Sequence, residues 1–273
     1  MNSNYLIAID LDGTLLTDQK TISTRTKKVI ESAKQAGHQI VISTGRPFRA
    51  SKMYYDELKL TTPIVNFNGA YVHHPLDPSF GYYHETLPLE VAREVIASCK
   101  EYELKNMYAE VLDDIYADKD IEESISLFQY IYEDIKHGDL LENLTNPPTC
   151  LLIDSDEKHV SSIRDHLSAV HAEIIDHRRW AAPFHVIEVI KAGINKAIGL
   201  QKVASYYNIP QKNIIAFGDE DNDLEMIEYA GHGVAMGNAI DKLKNIANYQ
   251  TLTNEEDGLA IFLEDFLKLP NLK

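Results

Sequence analysis

Cysteine is nearly missing from this chain. Its 273 residues include two, Cys99 and Cys150. That is too few for a disulfide framework, and the spacing suits no zinc site, so both read as packed free thiols. Tryptophan occurs once. No apolar run approaches the ~18 residues of a membrane-spanning helix. The opening MNSNYLIAID lacks a basic region, and its apolar stretch is too short for a secretory signal. Basic charge is scarce as well: 26 Lys and Arg face 42 Asp and Glu, a net charge of −16. Without a basic stripe to track a phosphate backbone, nucleic acid is disfavoured as a partner. No GxxxxGK[ST] loop occurs, which counts against a P-loop NTPase. Repeats and low-complexity segments are absent too. The expectation is a cytoplasmic protein with no membrane partner, its oligomeric state open. Hydrophobic residues at 44% and charged residues at 25% exclude wholesale disorder. At about 150 residues per domain, the length suggests two domains or one large one.

What is present is alternation. Tyr5–Ile9, Gln39–Ser43, Pro63–Phe67 and Asn213–Phe217 are short apolar runs of the kind buried on both faces of a parallel sheet. Between the first two, Ser23 reads as a helix N-cap, Val29, Ile30 and Ala33 recur at helical spacing, and Gly37 stands where a C′ glycine belongs. Asn68-Gly69 signals a hairpin turn. Helical residues 195–207 and 224–230, a short strand at 232–235 and a closing helix from about 258 repeat the same α/β texture. The middle of the chain differs. It has strand candidates at 106–111, 150–154, 172–176 and 186–190 and helical stretches at 88–102, 120–135 and 157–170, enough for a separate α+β module. One α/β domain built from both ends of the chain, with the middle inserted, is the predicted organisation.

Ligands of open parallel sheets bind beyond the carboxyl ends of the strands. Three segments fall there: Asp10-Leu11-Asp12-Gly13-Thr14, Ser43-Thr44-Gly45-Arg46, and Gly218-Asp219-Glu220-Asp221-Asn222-Asp223. Carboxylates repel one another and do not gather without a cation. A hard divalent ion such as Mg²⁺ resolves the conflict with oxygen ligands. Gly13 allows a sharp turn, so that one of the two aspartates at 10 and 12 can act as a nucleophile and the other as a proton donor or acceptor. Lys196 follows the predicted N-cap Asn195. A cation is disfavoured in a first helical turn unless an anion sits beside it.

DLDGTLL, ISTGR, the lysine of GINKAIGL and FGDEDND, in this order, resemble the haloacid dehalogenase-like phosphatase superfamily over nearly the whole chain. NFNGA at 66–70 and NEEDG at 254–258 resemble its Cof-type branch. The resemblance implies a Rossmann-like doubly wound parallel sheet core (1–83 plus 187–273) with an inserted α+β cap domain (84–186). Asp10 and Ser43 are 33 positions apart and Thr44 and Lys196 are 152 apart, so the cap falls in the second interval, as in type-two members. The implied activity is Mg²⁺-dependent hydrolysis of small phosphorylated metabolites: sugar phosphates, a ribityl-pyrimidine phosphate, FMN or pyridoxal phosphate. By the same resemblance Asp10 is the nucleophile, forming an aspartyl-phosphate, and Asp12 the acid and base. Asp10, the Asp12 carbonyl and Asp219 hold the metal. Ser43, Thr44, Lys196, Asn222 and the Leu11 N–H bind phosphoryl oxygens, and Glu220 and Asp223 orient metal waters or Lys196. A phosphomutase would place its cap earlier, and a dehalogenase would lack Asp12. A ligand-binding or regulatory protein retaining the fold is the remaining alternative. For substrate choice the candidates are Arg46, whose other reading is a structural ion pair, and the cluster His177, Arg178, Arg179 and Trp180. In that cluster arginine can fork onto an anion and tryptophan can stack on a ring, unless it is simply a surface loop. Tyr54, Tyr55, His73 and His74 read as packing and hairpin residues.

Overall fold

The apolar runs become buried strands. Leu6–Ile9 (β1) is buried at all four positions, which fits a strand covered on both faces. The structure, a computed structural model, describes residues 4–119, 135–179 and 185–269. Thr24–Gln35 (α1) begins at Ser23, whose side chain accepts from the Thr26 N–H at 3.0 Å, and it buries Val29, Ile30 and Ala33. Gln39–Ile42 (β2) follows, then Phe48–Glu57 (α2), Ile64–Asn66 (β3), Tyr71–His73 (β4) and Tyr82–His84 (β5).

The middle of the chain supplies Leu89–Cys99 (α3), Leu104–Val111 (β6), Asp114–Ala117 (β7), Ile135–His137 (β8), Leu140–Asn143 (α4), Cys150–Ser155 (β9), Glu157–His171 (α5), Ile175–Arg179 (β10) and Val186–Lys191 (β11). The chain then returns through Lys196–Tyr206 (α6), Ile214–Gly218 (β12), Leu224–Tyr229 (α7), His232–Ala235 (β13), Asp241–Ile246 (α8), Tyr249–Gln250 (β14) and Gly258–Leu267 (α9).

Residues 1–46, 51–83 and 195–273 form one unit, and residues 47–50 and 84–194 a second. The first is built on a five-stranded sheet ordered β14-β13-β12-β1-β2, parallel throughout. A single parallel bridge, Ser43 to Val65, carries it on toward β3. Strand order reverses between β1 and β12. A crevice therefore opens at the carboxyl ends of these two strands, where DLDGT and GDEDND begin.

The second unit has a six-stranded sheet ordered β10-β11-β9-β6-β7-β8, antiparallel except for the pair β7 and β8. One face buries Met107, Leu151, Ile153 and Val189 against Ile96 of α3 and Ile163 of α5. Val186–Lys191 belongs to this sheet, paired with both β9 and β10. The passage back to the first unit therefore falls at 194/195 and not at the 186/187 expected from sequence. β10 also starts later than the expected 172–176. The helical stripe Val160, Ile163, Leu167, His171 runs on to the end of α5, and residues 172–174 form the turn. Elements α2, β5, β7, β8, α4, α8 and β14 were not anticipated. The helix expected at 120–135 lies outside the described residues apart from Ile135, which opens β8. Among the described residues, no helix is long and apolar enough to cross a membrane.

Candidate active site

Asp10 leaves β1 with its N–H donating to the Phe217 carbonyl at 3.2 Å, so the ends of β1 and β12 are tied together at the site. Gly13 adopts φ +75°, and a Cβ there would overlap the Asp219 carboxylate. The glycine in DLDGT thus permits both the turn and the approach of the third acidic segment. Thr14 then donates its hydroxyl to Asp219 Oδ1 at 2.8 Å.

Lys196 is the first residue of α6, and the Asn195 side chain caps the helix by accepting from the Ile198 N–H at 3.1 Å. The lysine is fully buried. Its Nζ donates to Asp10 Oδ1 and Asp223 Oδ1, both at 2.6 Å. These carboxylates are the anions that a cation at the N-terminus of a helix requires. Burial alone would lower the lysine's pKa; the charges of Asp10 and Asp223 outweigh it and raise the value. The second oxygen of Asp223 accepts from the backbone N–H groups of Asp219 and Glu220, at 2.9 and 3.2 Å. Asp223 therefore holds both the lysine and the turn that presents Asp219. Glu220 accepts from the N–H of Asp221 and caps this same turn.

Carboxylate oxygens of Asp10, Asp219 and Asp223 lie within 4.8 Å of one another. Burial, then the charge of neighbouring carboxylates, pushes the pKa values of Asp10 and Asp219 well above the ordinary carboxylate range, against the opposing pull of Lys196. With all three carboxylates ionised against one ammonium, two negative charges would remain in a buried site, and a divalent cation with oxygen preference fits that donor set. Ser43 and Thr44 are buried at the end of β2. Ser43 Oγ has no hydrogen-bond partner among the described residues, while Thr44 Oγ1 accepts from the Arg46 N–H at 3.1 Å.

Asp12 has different surroundings. Arg46 forks onto it, Nε to Oδ2 and Nη2 to Oδ1, both at 2.6 Å, and Lys20 Nζ reaches Oδ1 at 2.7 Å. Partial burial would raise its pKa. The hydrogen bonds and charge of Arg46, followed by those of Lys20, prevail and hold it at about 2. The structure thus places Arg46, expected among the specificity residues, on the second aspartate. Tyr54 and Tyr55 are buried and donate their hydroxyls to the carbonyls of Lys20 and Thr62.

Of the candidates of the second unit, His177 and Arg178 face opposite sides of the sheet. His177 is turned to α5, where Ser168 Oγ lies 2.9 Å from its Nε2 and the Arg164 Nε donates to its Nδ1 at 3.3 Å. Arg178 stands in register with Glu188, on the opposite face of the sheet. Arg179 ends β10, and Trp180 lies outside the described residues. Sequence reasoning missed Lys20, Thr14 and Asn68. Asn68 is buried, with its Oδ1 accepting from Asn222 Nδ2 at 2.9 Å.

A family model described as haloacid dehalogenase-like hydrolase matches residues 7–263. The chain is 57% identical over 265 residues to the 5-amino-6-(5-phospho-D-ribitylamino)uracil phosphatase YitU of Bacillus subtilis, covering 97% of this chain and 98% of that protein. It is 32% identical to YwtE of the same organism, which carries the same enzyme name, over 96% and 97% of the two chains. Among solved structures, a haloacid dehalogenase-like hydrolase from Bacteroides thetaiotaomicron superposes with a TM-score of 0.84. It is 28% identical, and 97% of this chain and 100% of that one are covered.

Proposed function

Because this chain belongs to the haloacid dehalogenase-like hydrolases and is a phosphatase, we propose that its substrate is a ribityl-pyrimidine phosphate monoester, hydrolysed through an aspartyl-phosphate on Asp10. The substrate class rests on the enzyme name shared by the relatives at 57% and 32% identity. One observation carries the chemistry: Asp10 and Asp12 stand two positions apart in separate electrostatic settings. Asp10 sits in the buried acidic group on Lys196, and Asp12 outside it on Arg46 and Lys20. Two carboxylates kept apart in this way can take different roles.

In this reading Asp10 attacks phosphorus, and the bond to the leaving oxygen breaks as Asp12 delivers a proton to it. Water then attacks the acyl phosphate, Asp12 removes its proton, and Asp10 is regenerated. The Arg46 fork holds Asp12 ionised, the form that accepts the proton of water. The donating form requires Arg46 and Lys20 to release it. Ser43, Thr44, Lys196, Asn222 and the Leu11 N–H supply donors to the phosphoryl oxygens, and Lys196 keeps Asp10 in line. Bound Mg²⁺, held by Asp10, Asp219 and the Asp12 carbonyl, would supply charge neutralisation for the phosphoryl group.

The test is phosphate release from a panel of phosphomonoesters, with and without Mg²⁺, ranked by kcat/KM. A ribitylaminopyrimidine phosphate should rank above hexose phosphates, FMN and pyridoxal phosphate, with turnover abolished by a chelator. A higher rank for any of those others would overturn the substrate assignment, and chelator-resistant turnover would overturn the metal.

A further inference from the structure

We propose that Asn68 is a positioning residue of this site, fixing the Asn222 carboxamide from a turn that also braces the loop after β2 and the start of α6. The proposal rests on the reading of Asn222 as a donor to phosphoryl oxygens.

Three consecutive residues, Phe67, Asn68 and Gly69, have positive φ, at +49°, +53° and +99°. Left-handed backbone is unfavourable for a non-glycine residue, and above all for a bulky one such as phenylalanine. A hairpin between β3 and β4 has cheaper turns available. Strain of this kind persists where surrounding contacts over-determine it, and four contacts of this turn lead to the site. The Asn68 N–H donates to the Thr44 carbonyl at 3.1 Å, and the Phe67 N–H to the Arg46 carbonyl at 3.3 Å. A Cβ on Gly45 would stand 3.2 Å from both amide atoms of Asn68, so the loop after β2 is moulded to this side chain. On the other flank a Cβ on Gly69 would overlap the carbonyl of Asn195, the residue that caps the helix carrying Lys196.

The side chain completes the arrangement. Asn68 is 2% exposed, and its Oδ1 accepts from Asn222 Nδ2. An amide NH₂ carries two N–H bonds in one plane. Committing one to Asn68 fixes that plane and so the direction of the other. An unfixed Asn222 would have to be oriented by the phosphoryl group itself, at the cost of binding free energy.

The test is a double-mutant cycle of Asn68→Gly and Asn222→Ala. Glycine takes positive φ without strain, so Asn68→Gly removes the carboxamide with the turn retained, and an unchanged thermal midpoint checks this. Two readouts are taken in Mg²⁺ buffer: kcat/KM for an aryl phosphate, and inorganic phosphate binding by calorimetry. One net hydrogen bond corresponds to about three- to tenfold. Asn68→Gly should weaken both readouts by that factor in the parent and change them less than about 1.5-fold beside Asn222→Ala. Equal losses in the two backgrounds, or no loss in the parent, would overturn the role of Asn68 while leaving the hydrolase reading intact. A parent that binds phosphate but turns over no ester would overturn the hydrolase reading, and the cycle would still be read through binding.

Discussion

Replacing Lys196 with methionine removes the cation paired with Asp10 and Asp223 while keeping an unbranched side chain of similar length. Lys196 and Asp223 are fully buried and Asp10 nearly so, and both ion pairs are 2.6 Å long. Removing one partner of a buried pair costs about 3–5 kcal/mol, because the other charges stay buried without compensation. At about 2–4 °C per kcal/mol for a domain of this size, the midpoint should fall by roughly 6–20 °C in metal-free buffer near neutral pH. The double variant Lys196→Met with Asp223→Asn should recover part of that loss, since one orphaned charge leaves with its partner. Turnover should drop by about 10²–10³, the scale for a preorganised donor to transition-state charge. Differential scanning calorimetry and steady-state kinetics on the same preparations read both effects. A midpoint within about 1 °C of the parent, which is far less than a buried pair commands, would show that Lys196 does not neutralise this cluster.

Asp12→Asn should slow phosphoryl transfer more for alkyl than for aryl phosphates, whose leaving groups need little protonation. Equal losses in single-turnover formation of the phosphoenzyme would refute the acid role. Stability should also depend on pH in a defined direction. Asp10 and Asp219 bind protons more tightly in the folded protein than in the unfolded chain, because burial and neighbouring carboxylates raise their pKa values. Metal-free protein should therefore lose stability as the pH rises from the ordinary carboxylate range, about 4, through neutrality. Mg²⁺ should flatten the decline. A metal-free midpoint that climbs over that range would contradict the sign. Gly13→Ala should abolish turnover, since the new methyl meets the Asp219 carboxylate at a backbone angle alanine resists. Parent-level kcat/KM would show that the turn yields.

Much of this site was legible because the runs ending at Ile9, Ser43 and Phe217 are continuous, largely apolar and short. Such runs mark buried parallel strands, and the ends of those strands locate the crevice. For Lys196, helix electrostatics left two readings open, a solvated surface lysine or an anion beside the N-cap, and the family resemblance decided between them; the anions are Asp10 and Asp223. The partners of Asp12 were not legible. Lys20 and Arg46 reach it from 8 and 34 positions away, and local spacing does not encode which cation a carboxylate will choose. Asn68-Gly69 read as an ordinary turn because the signal for a turn is local. The positive φ of Phe67 and the contacts to Thr44 and Asn195 are set by segments distant in the chain. The 186/187 boundary failed for a related reason. Apolar strands of the two units look alike, and only pairing with β9 and β10 assigns Val186–Lys191 to the second.

The central claim is covalent: phosphorus passes through the Asp10 carboxylate. The most direct measurement is acid quench during turnover, followed by peptide mass spectrometry, in the parent and in Asp12→Asn, where slowed hydrolysis should let the intermediate accumulate. The account predicts a phosphoryl group on Asp10, absent from Asp10→Asn, with loss of turnover in that variant. Phosphate release at the parental rate from Asp10→Asn, or a phosphoryl adduct on another side chain, would contradict it.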